Sequence, residues 1–274
     1  MGQFAAAPTA DKFGLAGAVR GALDTVTTNC VVAFGPDLWR RLGEPLEAHR
    51  PLLARTGVTG HSMPASPDDL FVWLHGETPD AVMTDVLKLR EAMRESFDLR
   101  DETAGFVYLD SRDLSGFEDG TANLSLDEAP EVALVADGQP GAGGAYVLTQ
   151  KWRHDLDGFA GLSEPEQEAV IGRTKADSVE LENLPVGSHV ARVVIEEDGE
   201  ELEIWRRSVP WGGYDTHGLF FLAFSADPDR FERMLDRMFA VKAGPHDRLV
   251  EFSTPVSGAR YFAPSAQALH EAIR

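Results

Sequence analysis

His217 to Ala240, HGLFFLAFSADPDRFERMLDRMFA, is the stretch on which the fold class turns. Residues 217–224 form an apolar run that reads as a buried strand. Asp227 and Pro228 follow as a helix cap and first-turn pair. Phe231, Met234, Leu235, Met238 and Phe239 then recur at helical spacing and give a helix over 228–240 one apolar face. That face reads as core packing rather than a methionine-rich metal site. A strand running straight into a helix with one apolar face is the unit of an α+β layer.

Working outward, residues 188–195 and 201–208 read as two strands joined by EEDGE, whose Asp198-Gly199 pair is a hairpin signal. A helix over 164–173 is announced by the capping box Ser163-x-x-Glu166, and a strand is expected at 145–152. Nearer the N-terminus, 28–35, 69–75 and 104–110 read as strands, with helices at 37–42 and 79–97. Between Ser111 and Gly144 the pattern lapses into a long Gly- and Asp-rich stretch, as functional or linking segments do. The element order thus suggests two similar α+β units with antiparallel sheets, helices covering one face, over 1–140 and 141–274.

The chain of 274 residues carries 25 Lys plus Arg against 45 Asp plus Glu, a formal charge of −20. Such a surface repels phosphate backbones and anionic lipid, so nucleic acid is excluded as an expected partner. No apolar run approaches the roughly 20 residues of a membrane helix, and no membrane association is expected. Cys30, the single cysteine, lies in an apolar run and excludes both an intrachain disulfide and a thiolate cluster. The N-terminus lacks a basic start followed by an apolar block, so a cytoplasmic location is expected.

Four segments concentrate polar residues among apolar ones. In Gly116-Phe117-Glu118-Asp119-Gly120-Thr121 the flanking glycines allow a sharp turn that delivers Asp119 into a cavity, or merely lets it bond its own backbone. In Ser188-His189-Val190-Ala191-Arg192 the histidine heads a strand, where it is either structural or a metal ligand; His217 is an equal candidate. In Trp205-Arg206-Arg207-Ser208 strand alternation puts Arg206 and Ser208 on one face and Arg207 on the other. An inward arginine there is a fixed cation suited to a developing anion. Asp247 opens an apolar stretch as a helix cap or as a carboxylate behind a histidine. The residue patterns alone give no reason to bring these groups together.

Taken in order, GFEDGT, YVLTQKWRHDL, QEAVIGRTK, SHVARV, RRSVP, GLFFLAF and DRLVEFSTPVSGARYFAPS resemble the dye-decolorising (DyP-type) haem peroxidases, in the compact form of the bacterial B-type branch. The resemblance implies two ferredoxin-like units, with heme b (iron protoporphyrin IX) held mainly by the C-terminal one. It implies that His189 is the iron ligand and that Asp119 and Arg206 are distal catalytic residues, with Ser208 where the family carries Ser or Asn. Arg207 is the rival for the arginine role; the spacing to Pro210 favours Arg206. Arg173 is similar to a basic residue near a haem propionate, and Asp247 to the carboxylate behind the proximal histidine. One departure is Asn123-Leu124 in place of Asn-Pro, which loosens the expected loop.

The implied activity is reduction of hydrogen peroxide coupled to oxidation of dyes, phenols or other small organic reductants. A carboxylate facing an arginine is expected to stay ionised into acid. Trp152, Trp205, Trp211 and Tyr214 are candidates, by residue type only, for passing electrons from bulky reductants. A homo-oligomer is expected, and no shell loading is expected from the polar ending SAQALHEAIR. The alternative function is a non-enzymatic haem-binding or delivery protein.

Overall fold

The computed structural model describes residues 1–197 and 199–274. Its strands are β1 (Gly2–Ala6), β2 (Asn29–Phe34), β3 (Arg55–Thr56), β4 (Ser62–Met63), β5 (Leu70–His75), β6 (Phe97–Glu102), β7 (Ala145–His154), β8 (Glu196–Glu197), β9 (Glu200–Glu201), β10 (Trp205–Arg206), β11 (Val209–Gly212), β12 (His217–Ser225) and β13 (Ser253–Ala263). Its helices are α1 (Lys12–Leu23), α2 (Pro36–Leu42), α3 (Pro79–Met93), α4 (Ala129–Ala133), α5 (Leu156–Ala160), α6 (Glu164–Ile171), α7 (His189–Val193), α8 (Asp229–Met238) and α9 (Ala266–Ala272), with a 3-10 turn at Arg248–Glu251.

The main sheet is antiparallel throughout, in the order β10-β12-β7-β13-β2-β5-β1-β6, with β11 also on β12. Numbered within each half, the strands run 2-3-1-4 twice, once as β2-β5-β1-β6 and once as β10/β11-β12-β7-β13. With α1 and α3 crossing in the first half, and the α5–α7 segment and α8 in the second, each half follows the ferredoxin-like βαββαβ order. The halves join where Phe262 of β13 pairs with Phe34 of β2. Past the far edge, Gly105 bridges Trp211 of β11, so the sheet curls until its two edges meet. Phe71 of β5 and Phe220 of β12, four strands apart in the sheet, consequently stack at 6.2 Å.

Alternation sorts the side chains into two cores. Val147, Phe220, Leu222, Ala259 and Tyr261 fill the inside of the curl. On the outer face Leu15, Leu38, Leu89, Phe231 and Leu235 bring the helices down on the sheet. Arg55 and Arg260, both buried, pair with Glu232 and so tie the first half and β13 to α8. Among the described residues no helix is long and apolar enough to cross a membrane.

Several elements depart from the sequence reading. The strand expected at 104–110 lies earlier, as β6, and the preceding helix ends at Met93. β6 is an edge strand of mostly exposed charged residues, so it lacks the apolar alternation that marks a strand. The strand expected at 188–195 is instead the short helix α7. Ser188 accepts a hydrogen bond from the Ala191 N–H, while Arg237 donates to the carbonyls of Ala191 and Val194 at the other end. A local cap at the start and the distant Arg237 at the end together override the β-branched composition.

The strand expected at 201–208 is broken into β9 and β10. Of the EEDGE hairpin, Asp198 lies outside the described residues; β8 and β9 pair around it, with Gly199 at φ 87°. β1, α1 and the long β13 escaped the sequence reading. β13 carries Pro255 and Gly258, breaker signals that a register shift between Pro255 and Ser257 absorbs. Cys30 is half-buried, and burial pushes its thiol up to about 11, in keeping with an inert side chain.

Candidate active site

Outward-facing side chains of the second unit floor a cavity of about 230 Å³, opening into about 1400 Å³ of atom-free space that includes its mouth. Leu148, Gln150 and Trp152 come from β7, and Leu219 and Phe221 from β12, the residues that alternation turns away from the inner core. Met234, Leu235 and Met238 of α8 close one side and Ile171 of α6 another. The walls are apolar, and the polar groups that interrupt them arrive from four separate segments.

His189 is the first residue of α7, turned into the cavity wall. Its Nδ1 lies 2.6 Å from Asp247 Oδ2, and Asp247 is completely buried. Asp247 Oδ1 accepts the Leu249 N–H at 2.9 Å. The two alternatives for this aspartate, helix cap and carboxylate behind a histidine, are therefore both realised, one oxygen for each. With the proton held on Nδ1, the Nε2 lone pair of His189 is free for a metal. His217, the competing histidine, begins β12 and does not line the cavity.

Asp119 enters from the long connecting segment. Gly116 and Gly120 flank it at φ 89° and 82°, conformations that favour glycine, and the Asp119 N–H bonds Ser111 O at 3.0 Å. Arg112 stiffens the turn by donating to the carbonyls of Gly116 and Lys175. Burial raises the Asp119 carboxyl above its ordinary value, against the opposing pull of Arg206. Desolvation outweighs the neighbouring cation, so this carboxyl takes up its proton at a higher pH than an exposed aspartate.

Arg206, the last residue of β10, lines the cavity, and its buried Nε has no hydrogen-bond partner among the described residues. Arg207 faces away and lies over the Trp205 ring at 5.4 Å. Ser208 does not accompany Arg206: it is absent from the cavity lining, and its Oγ accepts the Leu222 N–H at 3.3 Å. Alternation fails there because β10 ends at Arg206, and the serine hydroxyl takes a place in the ladder beside β12. Arg173 lines the cavity just beyond α6, where Gly172 turns the chain at φ 101°, and donates to Ser178 O at 2.9 Å.

The structure adds groups that sequence reasoning missed. His154 and Ser253 line the cavity; His154 Nδ1 lies 2.8 Å from Ser253 Oγ and its Nε2 3.1 Å from Asp113 Oδ2. Burial acts to raise Asp113, yet the bond and charge of His154 prevail and hold it below the usual carboxylate range. YVLTQKWRHDL contained this histidine, but its partners are distant in sequence. Trp152 also lines the cavity, and its carbonyl accepts the Trp211 indole N–H at 3.1 Å. Trp205 packs toward the inner core, and Tyr214 is fully exposed.

Apolar walls, one carboxylate-backed imidazole with a free nitrogen, and an unsatisfied guanidinium N–H suit a flat, largely apolar ligand carrying a metal ion. Asp119 and Arg206 supply the acid–base and cationic groups.

Residues 5–107 match the family model described as Dyp-type peroxidase, N-terminal, and residues 110–268 that described as Dyp-type peroxidase, C-terminal. The dye-decolorizing peroxidase of Mycobacterium tuberculosis is 39% identical over 245 residues, 86% of this chain and 72% of the relative. That of Rhodococcus erythropolis is 38% identical over 251 residues, 88% of this chain and 73% of the relative. Among solved structures, DyPB from Rhodococcus jostii superposes with a TM-score of 0.91 at 34% identity, covering 97% of this chain and 92% of that one. The dye-decolorizing protein from V. cholerae gives 0.90 at 35% identity, over 98% and 94% of the two chains. A variant of the R. jostii protein was solved in complex with heme.

Proposed function

The chain belongs to the Dyp-type peroxidase family, and from that premise we propose that it is a haem-dependent enzyme that reduces hydrogen peroxide and oxidises dyes and other small organic reductants. Haem, when bound, supplies the iron redox chemistry that the protein side chains lack. One observation supports the assignment of residues most directly: carboxylate-backed His189, Asp119 and Arg206 line a single apolar-walled cavity.

His189 Nε2 would hold the iron, with Asp247 keeping the proton on Nδ1 and the ring fixed. Arg173 would pair with a carboxylate of the macrocycle. Peroxide must lose a proton from one oxygen and gain one on the other before its O–O bond breaks to release water. Asp119 accepts the first proton as a carboxylate and returns it to the departing oxygen. Arg206, which lines the same cavity as Asp119, stabilises the negative charge that builds on peroxide. Because burial raises Asp119, its base form disappears at a higher pH than an exposed aspartate's would.

We further place the division between the units at 140/141, which leaves the segment bearing Asp119 with the first unit. We propose a homo-oligomer, supported by the exposed apolar side chains of Val107, Leu109 and Leu126 and testable by light scattering. A cytoplasmic location is also proposed, testable by fractionation of cells that produce the protein.

Arg206→Ala tests the site. The variant is expected to keep its haem absorption band and to lose about 100- to 1000-fold in kcat/KM for peroxide. Parental turnover with haem intact would end the role assigned to Arg206.

A further inference from the structure

β10 is an edge strand. Its two residues pair with β12 on one side only, Trp205 opposite Phe224 and Arg206 opposite Ala223. The next N–H, that of Arg207, turns toward β12 and bonds Leu222 O at 2.7 Å. By the alternation of backbone groups along a strand, the N–H and C=O of Arg206 therefore point away from the sheet, where an edge leaves them unpaired.

Asn123 fills both vacancies. Its Nδ2 donates to Arg206 O at 2.8 Å, and its Oδ1 accepts the Arg206 N–H at 2.9 Å. A carboxamide carries one donor side and one acceptor side in a plane, as a peptide unit does, so one side chain substitutes for a missing neighbouring strand. Asn123 is itself tied to the loop that presents Asp119, since its N–H bonds Gly120 O at 2.9 Å. Aside from these links, Asp119 and Arg206 stand on segments 87 residues apart in the chain.

We propose that Asn123 is a positioning residue that locks the backbone of Arg206 to the Asp119 loop and thereby sets the spacing of the two groups that face peroxide, a role that presupposes the peroxide-facing Arg206 proposed above. It touches neither peroxide nor the metal. Its effect is geometric: without the clamp, the N–H and C=O of Arg206 lose their partners, and the segment is held only through its neighbours' bonds to β12, which leaves the backbone at Arg206 free to shift. Leu124 does not fix φ as a proline would, so the side-chain clamp carries the register of the loop beyond Asn123.

The test compares Asn123→Ala with Arg206→Ala in the haem-loaded protein by three readouts: amide hydrogen exchange over 204–208, fluoride affinity of the ferric protein by absorption, and the rate of reaction with peroxide. Asn123→Ala is expected to speed exchange over 204–208 by about 10-fold. It is also expected to weaken fluoride and slow the peroxide reaction by about 10- to 100-fold, with KM for the reducing dye unchanged. Parental exchange and fluoride affinity in Asn123→Ala, where Arg206→Ala loses both fluoride and peroxide reactivity, would overturn the clamp and leave the site intact. If Arg206→Ala itself matches the parent, the peroxide-site assignment fails instead. Should Asn123→Ala not fold, Asn123→Leu, of similar volume and without polar groups, is read by the same criteria.

Discussion

Asp247→Asn separates the two jobs of a single side chain. In the parent, Oδ1 caps the 3-10 turn through the Leu249 N–H at 2.9 Å, and Oδ2 receives the His189 Nδ1–H at 2.6 Å. Asparagine has one acceptor oxygen. If that oxygen keeps the cap, its NH2 group faces His189 Nδ1, which can bond it only as an acceptor. The imidazole proton then moves to Nε2, covering the lone pair required for iron.

A charge-assisted bond of about 1.5–3 kcal/mol becomes a neutral one of about 0.5–1.5 kcal/mol, so the stability loss is expected to be only ~1–1.5 kcal/mol. Haem affinity is expected to fall by about 10- to 100-fold, the effect typical of losing the partner of a ligating histidine. Titration of the haem-free variant with hemin, followed by absorption, measures the affinity; urea unfolding measures the stability. Parental hemin affinity with a parental ligand spectrum would refute the tautomer argument, whatever the stability.

Three further outcomes are expected. Because the folded pKa of Asp119 lies above its unfolded value, the folded chain retains a proton that the unfolded chain has released, and parental stability falls as pH rises through that window. Asp119→Asn should therefore melt higher than the parent at pH 7 and equal to it below about pH 3, while losing peroxide turnover; a lower melting point at pH 7 would contradict the burial argument. Asp113 has the opposite sign, its folded pKa depressed by His154, so its stabilisation is present above about pH 4 and lost as pH falls through the lower folded value. Asp113→Asn should lose about 1–3 kcal/mol at pH 7 and converge on the parent in acid, and a pH-independent difference would count against the ion pair. A Cβ at Gly218 would sit 1.9 Å from the Trp152 carbonyl oxygen, where β12 lies against β7. Gly218→Ala should cost about 1–3 kcal/mol in urea unfolding, and a change below about 0.5 kcal/mol would show that the strands part freely.

Local signals were legible where the cause is local. The helix from Asp229 to Met238 follows from its apolar spacing, and the cap at Ser163 from the glutamate three residues on, whose carboxylate accepts the Ser163 N–H at 2.8 Å. β5 and β12 are unbroken apolar runs because both faces of each are covered. β6 and β13 were hidden, the first because an edge strand need not alternate, the second because a register shift absorbs its proline. α7 was misread because what makes it a helix is the Arg237 side chain, more than forty residues away in the chain.

By itself the sequence determined the α+β class and part of the element order, an acidic chain without an intrachain disulfide, and, through its ordered motifs, the family and six candidate site residues. Tertiary structure alone decided which of them meet. It put Asp119, Arg206, His189 and Arg173 around one cavity, set Asp247 behind His189, and kept Ser208 out because β10 stops two residues before it, so alternation does not reach it. It also raised Asp119 where the facing arginine alone would lower it. The reason is common to all of these: burial and the ends of short strands depend on neighbours distant in the chain, and neither is written in local periodicity.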